Sequence, residues 1–329
     1  MPFPTSDHCD GSRFFNPGAR VEGRLLDLLR WRLTRRPKPW PKWVESVPPI
    51  PAGPPAEGEI TATWINHSTF LLRTPQGNFL TDPVFSERVS PVSWLGPRRV
   101  HAPGVAFDAL PPIAGVLLSH DHYDHCDLPT LRRLAAAHRP RIFAPLGHRA
   151  LLAAAGVEGV IELDWWESHR PHPAFSVTLT PARHWCRRRP GDTNRRLWGG
   201  FYLRIGLKSI YFLGDSGYDA TLFAGIGARL GAPDLALIPI GAYAPRWFMR
   251  RAHMNPAEAV RVHRDLGARL SLAMHWGCWS LTDEGRDDPP RGLAAALLAA
   301  NVAPNDFGIL APGGTARVRA GDAGSLPQT

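Results

Sequence analysis

The amino-acid sequence predicts a layered α/β fold, and three observations lead to this prediction. The chain has 329 residues, of which 44% are hydrophobic and 20% are charged, a composition typical of a globular protein with a large core. From residue 59 onward, short apolar runs rich in β-branched residues recur along the chain. Stretches with helical spacing of apolar residues separate several of these runs, and this alternation is typical of helices packed on sheets.

Each element is predicted from its own pattern. The apolar runs predict eight strands, in chain order Ile60–Ile65, Phe70–Arg73, Val116–Leu118, Ile142–Ala144, Val177–Leu179, Ile210–Leu213, Leu235–Ile240 and Leu270–Ala273. The helical patterns predict helices at Leu128–Ala137, His148–Ala155, Leu222–Leu230, Pro256–Leu266 and Leu293–Ala300. The fourth helix has the clearest start, because Asn255 suits the N-cap, Pro256 suits the first helical position and Glu258 completes a capping box.

Residues 1–58 form a basic N-terminal segment rich in Trp and Pro, which precedes a domain of residues 59–329. Eight basic residues fall between residues 20 and 42 against two acidic ones, and Val21–Leu33 has leucines at near-helical spacing. This pattern predicts a short basic amphipathic helix that lies at a membrane interface, on the flank of the domain or in a dimer contact. Residues 47–55 are too rich in proline for a helix or a central strand, and they predict a linker.

Net charge, apolar runs and cysteine content limit the partners and the cellular compartment that are expected for this chain. The 38 Lys and Arg outnumber the 29 Asp and Glu, which gives a net charge of +9. This excess favours nucleic acid, an anionic membrane surface or a phosphorylated substrate as partner, with genome composition as the alternative explanation. No apolar run reaches the ~18 residues of a membrane-spanning helix, and the N-terminus lacks an apolar signal region. Four scattered cysteines do not fit a disulfide framework and favour a reducing cytoplasm.

The strongest local motif is Ser-His-Asp-His-Tyr-Asp-His at residues 119–125, directly after an apolar run. Three histidines and two aspartates so close together cannot all belong to an apolar core. Imidazole and carboxylate are the ligands that suit zinc and related divalent ions. His120 and His122 alternate and can face one ion, whereas Asp124 and His125 lie past the turn and can reach another. The motif therefore predicts a metal site.

Further metal ligands are expected at the ends of other strands. His184, Asp215 and His275 each follow an apolar run within one to five residues, where a layered α/β fold gathers its functional groups. Taken singly, each would more often be a structural residue. Together with the first motif they give five histidines and two aspartates, a set that suits two metals with a shared carboxylate. His67 and Asp82 are candidates to orient the imidazoles.

These seven residues resemble the motif of the metallo-β-lactamase superfamily, which is His-x-His-x-Asp-His followed by a later His, a bridging Asp and a final His. The resemblance implies a four-layer αββα sandwich. It also implies one metal on His120, His122 and His184, a second on Asp124, His125 and His275, and Asp215 as the bridge. Members with a redox di-iron centre have Glu at the position of His122. The histidine here favours two Zn²⁺ and hydrolysis, with iron and manganese as the alternative metals.

Longer strings are similar to the N-acyl-phosphatidylethanolamine phospholipase D family, from about residue 61 to residue 310. They lie at residues 81–86, 161–167, 197–201, 214–218, 238–249 and 275–277. This resemblance implies a dinuclear zinc phosphodiesterase that releases N-acylethanolamine and phosphatidic acid from N-acyl-phosphatidylethanolamine or a related phospholipid. The expected nucleophile is metal-bound hydroxide, which attacks phosphorus. The region before Glu59 matches poorly, and Asp121 and Cys278 depart from the family pattern.

Candidate catalytic and substrate residues follow from the same resemblance and from charge. Asp124 and Asp215 are the expected catalytic residues, with Asp215 orienting the nucleophile. Tyr123, Trp247 and His253 match family positions near the site and are expected to line the substrate pocket. Arg183 belongs to a group of six arginines around His184, and arginine pairs well with phosphate. A solvated arginine-rich loop is the alternative reading of that group.

The expected partners are a phospholipid substrate and, through the N-terminal segment, a membrane surface. We expect a cytoplasmic protein that is peripheral on the inner face of the membrane, and the family resemblance implies a homodimer. A lactonase or a nuclease on the same site is the alternative enzyme. The long strings above resemble the lipid enzymes, so no nucleic acid partner is expected. A non-catalytic binding protein would be marked by missing ligands, and all seven are present.

Overall fold

Two mixed β-sheets with seven strands each form the centre of the molecule. The structure is a computed structural model that describes residues 3–18, 21, 25–46, 55–56 and 58–318. The first sheet contains β1 (Ile60–Asn66), β2 (Thr69–Thr74), β3 (Gly77–Thr81), β4 (Ile113–Leu117), β5 (Arg141–Pro145), β6 (Val160–Leu163) and β14 (Thr315–Val318). The second contains β7 (Ser168–His172), β8 (Phe175–Thr180), β9 (Gly200–Ile205), β10 (Lys208–Phe212), β11 (Leu235–Pro239), β12 (Leu270–Met274) and β13 (Phe307–Gly308).

Helices cover the outer faces of both sheets. The described helices are α1 (Leu25–Thr34), α2 (Leu128–His138), α3 (His148–Ala153), α4 (Ala220–Leu230), α5 (Arg246–Met249), α6 (Pro256–Asp265) and α7 (Asp288–Ala300). Helices α2 and α3 contact the first sheet, whereas α6 contacts the second sheet and lies between α4 and α7. The four-layer αββα sandwich expected from the sequence is confirmed. The predicted capping box of α6 is confirmed as well, with both Asn255–Glu258 hydrogen bonds formed.

Successive side chains along the strands of the first sheet point alternately into two hydrophobic cores. Leu72 and Phe79 point into the core between the sheets, while their neighbours Leu71 and Leu80 point into the core beneath α2. A period of two follows from strand geometry, because successive side chains lie on opposite faces. Since both faces of this sheet are covered, its strands are buried on both sides, as the burial of every residue in β1 illustrates.

The strand directions bring several strand ends to one edge of the sandwich. In the first sheet β3 and β4 are parallel, and β1 runs the same way because it pairs with β2 and β2 with β3 in antiparallel fashion. In the second sheet β10, β11 and β12 are parallel, and β8 shares their direction through the antiparallel β9. Residues that follow these strands therefore meet at the same edge.

Part of the N-terminal segment packs directly on this sandwich. The side chains of Cys9 and Phe14 belong to the core between the sheets, and both are buried. Helix α1 begins at Leu25 in the described chain, while residues 22–24 of the predicted helix lie outside the described residues. Of the predicted proline-rich linker, only Pro55 is described. All four cysteines are buried free thiols. Within the described ranges, no helix has the length and apolar character needed to cross a bilayer.

Candidate metal centre

The seven predicted ligands lie together at the edge where the strands end. His120, His122, Asp124 and His125 follow β4, and His184, Asp215 and His275 follow β8, β10 and β12. Together with His67, Asp82 and His253 they fall into four overlapping clusters of potential metal ligands, two of which we name here. We call His120, His122 and His184 the first ligand group, and His67, Asp124, His125 and His275 the second ligand group. No cysteine belongs to a cluster of ligands among the residues described.

Three imidazole nitrogens converge in the first ligand group. His122 Nδ1 lies 2.9 Å from His120 Nε2 and 3.2 Å from His184 Nε2. These separations are close to the roughly 3.3 Å expected between nitrogen ligands on a tetrahedral zinc ion. The opposite nitrogen of His184, Nδ1, lies 3.0 Å from the carbonyl oxygen of Ala252, which fixes the ring. The group therefore has the geometry of a three-histidine metal site.

The second ligand group surrounds the carboxylate of Asp124. Asp124 Oδ2 lies 3.1 Å from His67 Nε2, 3.4 Å from His275 Nε2 and 3.5 Å from His125 Nε2. Asp215 Oδ2 lies 3.2 Å from His125 Nε2 and 3.1 Å from His275 Nε2. The same oxygen is 4.0 Å from His120 Nε2 and 3.9 Å from His184 Nε2, so it lies between the two groups.

Asp82 supports both groups from the end of β3. Its Oδ2 lies 2.6 Å from His125 Nδ1 and accepts a hydrogen bond of 2.5 Å from the Ser119 hydroxyl. That hydroxyl lies 2.8 Å from His120 Nδ1, so one carboxylate contacts a ligand of each group directly or through Ser119. Outer partners of this kind fix the ring orientation of ligating histidines. Of the two residues suggested as orienting the imidazoles, Asp82 contacts His125 directly, whereas the His67 ring contacts the Asp124 carboxylate, and both roles stay predictions.

Burial keeps the first ligand group uncharged. Burial and the neighbouring histidines lower the pKa of His120 well below its usual value. Burial lowers the pKa of His184 well below the usual value too, and the pKa of His122 is also lowered. Neutral imidazole is the form that binds a metal ion. The first group therefore presents three imidazoles in the protonation state that coordination requires.

Around Asp124 and Asp215, negative charge is balanced by protons on His125 and His275. Burial would raise the pKa of Asp124 and Asp215, but the adjacent histidines hold both carboxyl groups well below their usual range. In return these carboxylates overcome the effect of burial, raising the pKa of His275 to about 9 and that of His125 well above its usual value. A divalent ion carries the same positive charge and would replace these protons.

Unsatisfied buried atoms show that the site fits metal ions. Nε2 of His125 and His275 and Oδ1 of Asp215 are buried and make no hydrogen bond to the described residues. Leaving buried polar atoms unpaired costs about 1–3 kcal/mol each, so three at one place call for a ligand. Imidazole and carboxylate together suit zinc and related divalent ions. The donor set and the unpaired atoms agree on a divalent metal centre.

The predicted substrate residues do not all lie at this centre. His253 does, with Nδ1 3.7 Å from Asp215 Oδ2. Tyr123 donates a hydrogen bond to the Arg188 carbonyl oxygen, and the Arg188 guanidinium lies 4.1 Å from its ring centroid. Trp247 is 41% exposed and lines a separate cavity of about 590 Å³ between α1 and residues 243–247 and 283–288. The substrate roles of these residues stay predictions.

Three of the six arginines near His184 have hydrogen-bond partners for their guanidinium groups. The Arg183 guanidinium donates to Asp219 at 2.8 Å and to the Pro17 carbonyl oxygen at 2.9 Å. Arg196 donates to the buried carboxylate of Asp121 at 2.5 Å. Arg188 donates to the carbonyl oxygens of Asp121 and Cys126. These contacts hold the loop of residues 181–199 on the motif loop, so Asp121, which lies between two ligands, has a structural partner.

One exposed arginine lies next to the first ligand group. The Arg187 guanidinium stacks on Trp185 with 5.3 Å to the ring centroid. Trp185 in turn packs edge-on against His122, with 4.7 Å between ring centroids. An exposed cation one aromatic ring away from the ligands is suited to an anionic substrate group. In the sequence, Arg187 could not be distinguished from the other arginines near His184. Its position beside Trp185 and His122 becomes visible only in the folded structure.

Comparisons with known proteins agree with this site. Residues 77–276 match the family model of the β-lactamase superfamily domain. The chain is 39% identical to N-acyl-phosphatidylethanolamine-hydrolyzing phospholipase D 1 of Caenorhabditis elegans over 236 residues, which cover 69% of this chain and 66% of the relative. It is 34% identical to the mitochondrial N-acyl-phosphatidylethanolamine-hydrolyzing phospholipase D of Saccharomyces cerevisiae over 236 residues, 70% of this chain and 50% of the relative. The chain therefore spans less than two thirds of either relative.

A solved structure supports the fold. Igni18, described as a metallo hydrolase from the archaeon Ignicoccus hospitalis, matches with a TM-score of 0.60 at 19% identity. The match covers 79% of this chain and 98% of the archaeal chain. At this identity the likeness concerns the fold alone, and it agrees with the αββα layers described above.

Proposed function

The chain belongs to the metallo-β-lactamase superfamily, and from this membership we propose that it is a dinuclear zinc phosphodiesterase of the phospholipase D type. The proposed substrate is N-acyl-phosphatidylethanolamine or a related phospholipid. Water is added across the bond between phosphorus and the ethanolamine oxygen. The phosphorus side becomes phosphatidic acid, and the leaving oxygen takes a proton and departs as N-acylethanolamine.

One observation carries the proposal. Asp215 lies between the two ligand groups, and over 236 residues the chain is 39% and 34% identical to two proteins described as N-acyl-phosphatidylethanolamine-hydrolyzing phospholipases D. A shared carboxylate between two ligand sets is suited to two ions close together, an arrangement common in enzymes that cleave phosphodiesters. The ligand chemistry supports zinc, because five of the seven ligands are imidazoles.

The residues of the chain have separable roles in this proposal. The first ligand group would hold one ion, and Asp124, His125 and His275 the other. Bound ions would activate water for attack and neutralise charge on the phosphoryl oxygens. Asp215 lies within 4.0 Å of a ligand nitrogen of each group, so its carboxylate can orient the attacking water. His67 contacts Asp124 and would keep that carboxylate aimed at the site.

Substrate binding would use the residues around the ligands. Burial lowers the pKa of His253 to about 4, so at neutral pH its ring is uncharged and can donate one hydrogen bond to a phosphoryl oxygen. Arg187 is exposed and would supply positive charge to the phosphate. Arg183 is held by Asp219 and would act mainly in shaping the loop.

Helix α1 supports action at a membrane surface. Leu26, Leu29 and Leu33 lie at i, i+3 and i+7, and their exposed fractions are 76%, 47% and 86%. On another side of the helix, Trp31 stacks on Phe248 and donates to Asp283, which fixes α1 to the domain. A leucine stripe on a helix with exposed arginines is suited to an anionic lipid surface. We propose peripheral binding to the cytoplasmic face of a membrane through this stripe.

The test is product release from vesicles that contain N-acyl-phosphatidylethanolamine. Zinc-loaded protein should release N-acylethanolamine, and Asp215→Asn should reduce the rate at least about 100-fold, because the water loses its orienting carboxylate. Chelation of zinc should abolish the activity and readdition should restore it. Absence of product from protein shown to hold two ions would overturn the lipid substrate, and hydrolysis of a lactone or of nucleic acid by that protein would identify the alternative.

A further inference from the structure

The ligand His184 lies on a long loop without regular structure. The loop runs from residue 181 to residue 199, between β8 and β9. Irregular segments longer than about 12–15 residues are uncommon in compact domains, and ordering them has a large entropic cost. Specific contacts must therefore hold His184 in place. The other two members of the first ligand group lie on the loop of residues 119–125, which directly follows β4.

The N-terminal segment makes contacts all along this loop. Arg13 donates to the Thr193 and Gly191 carbonyl oxygens, and the Phe14 backbone N–H donates to the Asn194 carbonyl oxygen at 2.8 Å. The Phe14 side chain is 2% exposed, so burial of an aromatic ring anchors the segment at this point. Residues 3–17 are therefore fixed to the loop by both hydrogen bonds and apolar packing.

One of these contacts reaches the ligand itself. The Asn16 side chain is buried, and its Nδ2 donates a hydrogen bond of 2.8 Å to the backbone carbonyl oxygen of His184. The next residue, Pro17, accepts a hydrogen bond from Arg183, which precedes the ligand. Asn16 therefore restrains the main chain at His184, while Ala252 restrains its ring.

We propose that residues 3–17 are part of the metal centre and that Asn16 is a positioning residue for His184. The proposal rests on the two-ion site proposed above. It concerns the first ligand group, because His184, whose backbone carbonyl oxygen accepts the Asn16 hydrogen bond, belongs to that group. Loss of the Asn16 contact should weaken one ion and leave the other unchanged, although no ligand is altered.

The experiment measures both metal affinities of the full-length protein. Zn²⁺ is titrated into wild type and Asn16→Ala in competition with a chelator, and Co²⁺ absorption spectra report the geometry of each site. In Asn16→Ala one affinity should fall about 10-fold or more, a typical effect of losing an outer contact of a ligand, and the other should stay within about twofold. The matched control is Asn78→Ala, which removes the same kind of bond, from Asn78 Nδ2 to the Pro112 carbonyl oxygen at 2.8 Å.

Two results would overturn the proposal. One is an Asn16→Ala protein that binds both ions as tightly as Asn78→Ala does. The other is an equal loss at both sites together with a lower melting temperature, which would mean that Asn16 only stabilises the fold. If Asn16→Ala does not fold, Arg13→Ala takes its place, because the partly exposed Arg13 fixes the same segment to the same loop through the Thr193 and Gly191 carbonyl oxygens. Arg13→Ala should weaken the same ion by a smaller factor, and an unchanged affinity would refute the proposal.

The outcomes also separate this proposal from the proposed function. Wild-type protein that binds no divalent ion would overturn both. Wild-type protein that binds two ions and hydrolyses the phospholipid, with Asn16→Ala indistinguishable from it in both affinities, would overturn only the role of the N-terminal segment.

Discussion

Asp82 shows how much of the site depends on residues that are not ligands. It is fully buried, and its carboxylate contacts His125 and Ser119. Its backbone φ is +30°, a conformation that non-glycine residues rarely adopt, as is that of His67 at +40° and His275 at +61°. Strained residues of this kind persist where the surrounding structure holds them for a function. Three of them, directly after β1, β3 and β12, mark this edge as a functional site.

Asp82→Asn should lower zinc affinity by about 10- to 100-fold while all seven ligands remain. The amide keeps the shape of the side chain but loses the charge that holds the His125 ring. Competition titration with a chelator measures the effect. The matched control is Asp234→Asn, where the carboxylate accepts a hydrogen bond from the Ser209 backbone N–H at 2.8 Å, at the start of β10. Equal zinc affinity in the two variants would contradict the orienting role of Asp82.

His8 makes the attachment of the N-terminal segment dependent on pH. Burial alone would lower its pKa, but hydrogen bonds to Asp164 and Asp7 outweigh burial and raise the pKa above the usual value of 6.5. The charged ring therefore stabilises the folded state below pH 6.5, and this contribution is lost as the pH rises through the raised pKa. We expect His8→Gln to lower the melting temperature more at pH 5.5 than at pH 9. A constant difference across that range would contradict the prediction.

The sequence was sufficient to locate the ligands but not all of their supports. His and Asp clusters directly after apolar runs are visible because their chemistry contrasts with the strands before them, as at His120 and Asp215. Asn16 gives no such signal, since asparagine is common in turns and its partner His184 is 168 positions away. A contact of that kind becomes visible only when the topology is known.

At the scale of elements, strands with apolar runs were predictable and others were not. All eight predicted strands are present, with ends that differ by a few residues. Strand β7 was not predicted, because its residues are largely exposed and polar. Strand β9 was not predicted either, because it begins at Gly200 and glycine in a sequence favours a turn. The sheet requires glycine there, because a Cβ would lie 2.8 Å from the carbonyl oxygens of Phe212 and Leu213.

Helix α7 shows how a local pattern misplaces a boundary. The apolar spacing predicted a start at Leu293, but the helix begins at Asp288. Pro289 and Pro290 fall in its first turn, where the missing backbone N–H groups have no helical partner in any case. These two prolines therefore form part of the helix start, upstream of the predicted first residue.

A further prediction at the scale of elements concerns the exposed leucine stripe of α1, which we expect to bind lipid. Changing Leu26, Leu29 and Leu33 to serine should weaken binding to anionic vesicles about 100-fold, at roughly 1 kcal/mol for each partly inserted side chain. Co-sedimentation with phosphatidylglycerol vesicles measures binding, while hydrolysis of substrate in detergent micelles should persist. The control replaces Leu207 and Leu298, which are equally apolar and at least as exposed on average. Equal loss of binding in the control would contradict docking through α1.

At the scale of the whole molecule, the segment before residue 59 is joined to the domain more closely than its composition indicates. Prolines, tryptophans and basic residues set it apart in the sequence, and on that basis residues 1–58 and 59–329 were divided. In the structure Cys9 and Phe14 lie in the core between the sheets, and Trp31 and Lys38 contact Asp283 and Asp288. Amino-acid composition indicates how a segment is solvated and how flexible it is. It does not show contacts between residues far apart in the chain, and the contacts named here are of that kind.

The net charge of +9 is compatible with several anionic partners, and many arginines have structural roles in the folded chain. Arg188 and Arg196 hold the loop of residues 181–199, and Arg183 holds the N-terminal segment. Charge alone therefore does not select a substrate. The ligand constellation and the likeness to two phospholipases support the proposed phospholipid substrate, and the proposed reaction is attack at phosphorus.

Hydrolysis of N-acyl-phosphatidylethanolamine in ¹⁸O-labelled water tests this claim most directly. Zinc-loaded protein acts on vesicles, and mass spectrometry locates the labelled oxygen in the products. Attack at phosphorus predicts one ¹⁸O in phosphatidic acid and none in N-acylethanolamine, with no labelled product from Asp215→Asn. Label in a released fatty acid or in N-acylethanolamine, or no product from protein that holds two ions, would contradict the account.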